Sequence, residues 1–259
     1  MKTNYFNLTG NTFNNESFEP VKVLGSHQHA AFATGDVVFD WQKMEMPRGT
    51  TRVQGATTII RSKGDGGATP QPAGVDFIIS RGKPDGSSPG SLGTVNTAAM
   101  LTPNNDIIGV IPAANADIVG GAQVVITSSV SSPLIIEQYV NDKVAGTASA
   151  SGVAYGNTYI YVAGIAAGAI DLTSLSRLNM AGGITAEETT ALTTTGTDAR
   201  QIFIKGDVIT CHDDADVAEV ASTDSATGIT LTNSNGAALA QSDFLYNLVP
   251  IRFALHCTK

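Results

Sequence analysis

Residues 205–222 read KGDVITCHDDADVAEVAS, and whether this run is a site or a turn decides how the rest of the chain is read. Within Cys211–Asp216 stand a cysteine, a histidine and three aspartates, residue types that ligate metals and activate water. Around them, Ile202, Ile204, Val208 and Ile209 mark strand positions broken at Gly206-Asp207, and Val217 and Val220 resume the apolar pattern. The acidic run Asp213–Asp216 therefore falls where a hairpin turns, and Asp suits turns because its carboxylate accepts from nearby backbone N–H groups. For calcium the run lacks the glycine and terminal Glu of an EF-hand loop. For zinc, one Cys with one adjacent His does not make a four-ligand spacing. His212, Asp213 and Asp214 are read as turn residues, with weak cation binding the one further role left to them.

Outward from this hairpin the same grammar recurs. GDVVFDW, TTRVQGATTIIRS, GVDFIIS, NDIIGVIP, AQVVITSS, PLIIEQYV, NTYIYVAG, RQIFIKGDVITCH, DVAEVAS, GITLTN and LVPIRFALHC are short alternating or apolar runs between Gly, Pro, Asn and Ser clusters. Many short strands rich in Val, Ile and Thr predict an all-β chain, a β-sandwich or jelly-roll-like barrel with long loops. At most one short helix is expected, in TAEETTALT, where Thr185 and Glu188 fit a capping box. GDVV at Gly35 and GDVI at Gly206 are similar strand openings, too short to establish a repeat. Residues 1–20, Asn-rich and poor in aliphatics, read as an extended arm. Residues 21–259 read as one β-rich domain, with a division into two closely packed halves near 146–157 as an option.

Of the 259 residues, 42% are hydrophobic and only 15% charged, with a net charge of −8. Typical soluble domains carry roughly 25% charged residues. The surface is therefore built largely from Thr, Ser, Asn, Gly and Ala, which suits contact with other protein and is equally compatible with a weakly charged monomer. The acidic balance argues against a phosphate-binding surface, and so against nucleic acid as a partner. No run reaches the ~18 consecutive apolar residues of a membrane span, and the first twenty residues lack the apolar core of a secretory signal. Cys211 and Cys257 sit in strand-like segments and are read as small hydrophobes, bridged only if those strands are neighbours.

Other candidate sites weaken on inspection. His27-Gln28-His29 would put two imidazoles on one face of a strand, as several β-barrel metal sites begin, but no Glu follows at the required spacing. Gly86-Ser87-Ser88-Pro89-Gly90 matches a nucleophile elbow in letters only, because Pro89 has no N–H to donate to an oxyanion. Gly82-Lys83 runs into Pro84 and cannot complete a phosphate loop. No catalytic residue, cofactor site or metal site is predicted, and the chain is expected not to be an enzyme.

Three passages, residues 35–67, 87–99 and 203–255, resemble virion structural proteins of marine tailed phages, especially those infecting cyanobacteria. The likeness rests on D-W-x-x-x-E-x-P-R-G, with Asp40, Trp41, Glu45, Pro47, Arg48 and Gly49, and on GDV-x-x-x-HDD, with Gly206, Asp207, Val208, His212, Asp213 and Asp214. Residues 110 to 190 add little to it. The resemblance implies a non-enzymatic virion component that decorates or cements the capsid, assembled in the host cytoplasm and bound across subunits of the major capsid protein. Symmetric binding positions would favour a trimer or dimer of the chain itself. In that setting Tyr5, Phe6, Phe13 and Phe18 are the expected aromatic anchors of the arm, and Arg48, with Arg52, the expected partner of carboxylates across a subunit boundary. Trp41 is expected in core packing. A tail or fibre component that recognises a host-surface glycan is the alternative.

Overall fold

The chain folds as an all-β protein. A computed structural model describes residues 19–46, 51–61, 71, 73–80, 89–112, 118–119, 123–136, 158–173 and 176–258. In chain order the strands are β1 (Glu19–Val21), β2 (Val37–Met46), β3 (Thr51–Arg61), β4 (Val75–Ser80), β5 (Ile107–Ile111), β6 (Ile118–Val119), β7 (Gln123–Ile136) and β8 (Thr158–Ala166). They continue with β9 (Arg177–Leu178), β10 (Ala191–Thr195), β11 (Val208–Cys211), β12 (Asp216–Ser222), β13 (Gly228–Leu231), β14 (Leu245–Asn247) and β15 (Ile251–Thr258). Single-turn helices α1 (Gly25–Gln28) and α2 (Ala199–Ile202) interrupt the series.

Two sheets form a sandwich. One has the order β1-β15-β3-β7-β6 and the other β2-β8-β4-β5, with every pairing antiparallel. Their facing side chains make one buried cluster, drawing Val53, Ile60 and Phe253 from the first sheet and Phe39, Phe77 and Val162 from the second. Three phenylalanine rings knit the layers: Phe253 lies 5.3 Å from Phe39 and 5.0 Å from Phe77, the offset geometry that aromatic quadrupoles favour. The outer face of β2 and β8 is covered as well. Val37 and Ala163 pack under Leu92, with Trp41 against them and its Nε1 donating to Gly90 O, so Trp41 packs as expected.

The remaining sheet, β14-β11-β12-β13-β10-β9, curls into a nearly closed barrel. A bridge between Arg177 and Phe244, with Leu245 N donating to Ser176 O, brings its two end strands together. Alternation is clean where one face is wet, as in β10 and β13, where every second residue is buried. Leu178, Phe203, Ile209, Val220, Leu231 and Leu245 fill the interior. This barrel is inserted between β8 and β15: the chain enters it between Leu172 and Leu178 and leaves it after Leu248, when β15 returns to the sandwich. Residues 146–157 lie outside the described residues, and Ile160 and Val162 beyond them belong to the same core as β2 and β4.

Several sequence expectations need correction. TAEETTALT is not helical: Thr185 N and Oγ do donate to the Glu188 carboxylate, but Glu187 sits at φ 62° and the chain turns into β10. A capping interaction organises the turn without nucleating a helix. Among the described residues the α-helical turns are α1 and α2, neither of them in this run, so the expected place of the helix is corrected. One of them, α2, takes up Arg200, Gln201 and Ile202 from a run expected to be strand, with Asp198 accepting from Arg200 N as its cap. Residues 1–18 of the expected arm lie outside the described residues; Glu19 and Pro20, its last two, pair with Phe253 and Arg252.

The two GDV segments share one local device. In Ala33–Asp36 and Ile204–Asp207, the Asp N–H donates to the carbonyl three residues back (both 3.1 Å). Its carboxylate accepts from that same residue's N–H, at 2.7 and 2.8 Å. Ala240–Asp243 repeats the pattern with Ser242 in place of glycine. The third residue is left-handed each time, with φ of 89°, 88° and 72°. The likeness is one of turn chemistry.

Candidate functional site

The two histidine-bearing segments noted in the sequence meet in space. α1 sits directly on the β11–β12 hairpin. Gly25 makes this approach: a Cβ there would lie 2.0 Å from Cys211 O, so only glycine fits. Ser26 then donates its backbone N–H and its Oγ to the two carboxylate oxygens of Asp214, both at 2.8 Å. Buried Gln28 donates Nε2 to Val23 O and Asn247 O, anchoring the same turn to β14. Asp214 is left-handed at φ 67°, a conformation Asp tolerates in tight turns.

Within this clamp the histidines separate. Only as a strand would His27-Gln28-His29 put both imidazoles on one face; helical geometry instead rotates successive residues by about 100°. His27 is half-buried, and its carbonyl accepts from Asn96 Nδ2. His29 is exposed, with its ring 4.6 Å from that of His212 and 5.6 Å from Phe244. Its Nδ1 is 2.9 Å from the Tyr246 hydroxyl. Burial pushes the Tyr246 phenol up to about 12, so it stays a neutral hydroxyl at ordinary pH. Phe244 stacks over Tyr246 on one side and lies 4.3 Å beneath the Arg177 guanidinium on the other. The result is a surface row, Arg177, Phe244, His29 and His212, over a fixed Tyr246.

The hairpin expected at Asp213–Asp216 is present, with a register shift between Ile209 and Thr210. Two of its acids, Asp213 and Asp214, are engaged by the protein itself. Cys211 Sγ donates to Asp213 Oδ1; burial, then this carboxylate, pushes the thiol up to about 11, and the bond holds Asp213 below the usual carboxylate range. Cys211 is a buried free thiol, as its reading as a hydrophobe expects. Among the described residues no group of three or more His, Cys, Asp and Glu side chains is arranged to hold a metal ion.

A second constellation lies where barrel and sandwich join. Asp207, fully buried, accepts from Arg61 (2.7 Å), Asn247 Nδ2 (2.7 Å) and Ile204 N (2.8 Å), with Arg252 at 3.5 Å. Burial lowers the Arg61 pKa, an effect its carboxylate partner opposes. These donors make Asp207 a structural joint between β3, β11, β14 and β15.

The predicted interface residues Tyr5, Phe6, Phe13, Phe18 and Arg48 lie outside the described residues, as do Gly82–Ser88. Pro89 O and Gly90 O accept from buried Asn105, tying that loop down. Missing from the sequence reading is an exposed apolar run, Met100, Leu101, Ile107 and Val110, with Met100 69% and Val110 48% exposed. It leads into β5, the edge of the four-stranded sheet. Gly25, Ser26, Arg177, Phe244 and Tyr246 were also missed, since only the fold brings them together. Comparison with protein-family models, with curated proteins and with solved structures found no match for this chain.

Proposed function

We propose that this chain is a non-enzymatic virion structural protein that decorates the capsid and stabilises it by binding across subunits of the major capsid protein. The observation that carries this reading is the set of exposed apolar side chains at one sheet edge, Met100 and Leu101 ahead of β5 and Ile107 and Val110 on it, in a chain that is poor in charge. Apolar side chains exposed together mark surfaces that meet other protein, and an edge strand offers backbone donors and acceptors to a neighbour. The likeness of residues 35–67, 87–99 and 203–255 to phage virion proteins supplies the setting. A homo-oligomer, dimer or trimer, fits binding on symmetry axes.

The alternative, a tail or fibre component reading host glycans, calls for exposed aromatic platforms. Among the described residues, Trp41 is half-buried with its Nε1 held by Gly90, and Phe244 lies under Arg177, so neither of these two supplies such a platform. Immunogold electron microscopy of purified virions with antibody against the chain tests the proposal. Gold spread over the head is the expected result. Gold confined to the tail, or no labelling of virions, overturns it.

A further inference from the structure

We propose that His29 and His212 form a two-imidazole site for a borderline divalent transition-metal ion, with water completing the coordination shell. Four observations converge on the pair. The rings belong to segments far apart in sequence, yet Gly25, Ser26, Gln28 and Asp214 pin those segments together, so the imidazoles are brought side by side by the fold. Both residues are exposed, and no hydrogen bond among the described residues holds the His212 ring elsewhere.

His29 also has the outer-shell partner typical of a ligating imidazole. Metal-bound histidines usually donate their second ring N–H to a fixed acceptor, which selects the tautomer. Tyr246, buried beneath, holds its hydroxyl 2.9 Å from His29 Nδ1; in the Nδ1–H tautomer that metal binding at Nε2 requires, the hydroxyl oxygen is the acceptor.

The spacing selects the geometry. With metal–nitrogen bonds of about 2.0–2.1 Å, an ion stands ~3.2 Å from each ring centre. For one nitrogen of each ring to reach the same ion, ring centres 4.6 Å apart require an angle of about 90° at it, against the ~109° of a tetrahedral site. Adjacent positions of an octahedral or square-planar shell fit that angle, which favours Ni2+ and Cu2+ over Zn2+. Around the pair, the Asp213 carboxylate beside His212 favours a cation. The Arg177 guanidinium on the far side of Phe244 opposes it, and the two oxygens of Asp214 are taken by Ser26. This site does not depend on where the protein stands on a virion.

The test uses the full chain without a polyhistidine tag, titrated calorimetrically with NiCl2 at pH 7.5, together with electron paramagnetic resonance of the Cu2+ form. The expected result is saturation at one equivalent, with two nitrogen donors resolved on copper. His29→Asn or His212→Asn should each weaken binding at least ~10-fold, and Tyr246→Phe should weaken it while preserving both nitrogens, as loss of an outer-shell partner does. His27→Asn and His256→Gln should leave it unchanged. Circular dichroism confirms that each variant is folded. No saturable binding by the wild type overturns the proposal, as does binding that survives the His29→Asn/His212→Asn double variant; in either case the rings are only a stacking contact.

Discussion

At the scale of single residues, burial decides how a side chain titrates. His256 in β15 lies against Thr57, 2.7 Å from its Oγ1, and partial burial lowers its pKa. The folded state therefore takes up this proton less readily than the unfolded chain, whose histidine titrates near ~6.5. Its contribution is favourable above that value and is lost as pH falls through it toward the lower folded pKa. Urea denaturation at pH 7 and pH 5 should show stability falling with pH, and His256→Gln should flatten that slope by less than one proton. An unchanged slope would mean His256 is solvated.

At the scale of elements, two glycines do different things. Gly206 is left-handed at φ 88°, and a Cβ added there would have nothing within 4 Å, so this glycine serves backbone conformation alone. Gly206→Ala should cost about 1–2 kcal/mol, the left-handed penalty, and Gly206→Asn less. Gly25 serves proximity: its Cβ would strike the Cys211 carbonyl, which belongs to β11 and cannot swing aside. Gly25→Ala should lose about 1–3 kcal/mol, the usual cost of overpacking. It should also speed hydrogen exchange at Ser26 as α1 lifts from Asp214, whereas Gly206→Ala should not. Equal exchange in both variants would refute this distinction. The turns themselves were only partly legible: GDV at Gly35 and Gly206 reads as two similar strand openings without giving their shared geometry, and AQSD at 240–243 hides it altogether, because serine does not advertise a left-handed backbone.

At the scale of the whole molecule, Asp207 ties the inserted barrel to the sandwich. Removing one member of a buried ion pair leaves the other charge unpaired, at a typical cost of about 3–5 kcal/mol. Asp207→Asn and Arg61→Met should each fall near that range in urea denaturation, and the double variant should be destabilised by clearly less than their sum. Additive losses would mean that the pair is not coupled. Because the barrel and sandwich have separate cores, Asp207→Asn should also broaden or split the unfolding transition that the joint helps to unify.

The sequence alone determined that this chain is β-rich, because alternation of apolar and polar residues is a local property of each strand. It marked the strands β2, β3, β4, β5, β7, β8, β11, β12, β13 and β15, and placed the acidic hairpin at Asp213–Asp216. It misread Thr185–Leu192, since a Thr–Glu capping pattern specifies two hydrogen bonds and not the conformation of Glu187 between them. Only the tertiary structure decided that β15 leaves the barrel for the sandwich, that Asp207 meets Arg61 across 146 residues, and that His29 stands over His212. Those contacts join positions far apart in the chain, and their partners are chosen by packing and hydrogen-bond satisfaction, which no local pattern encodes.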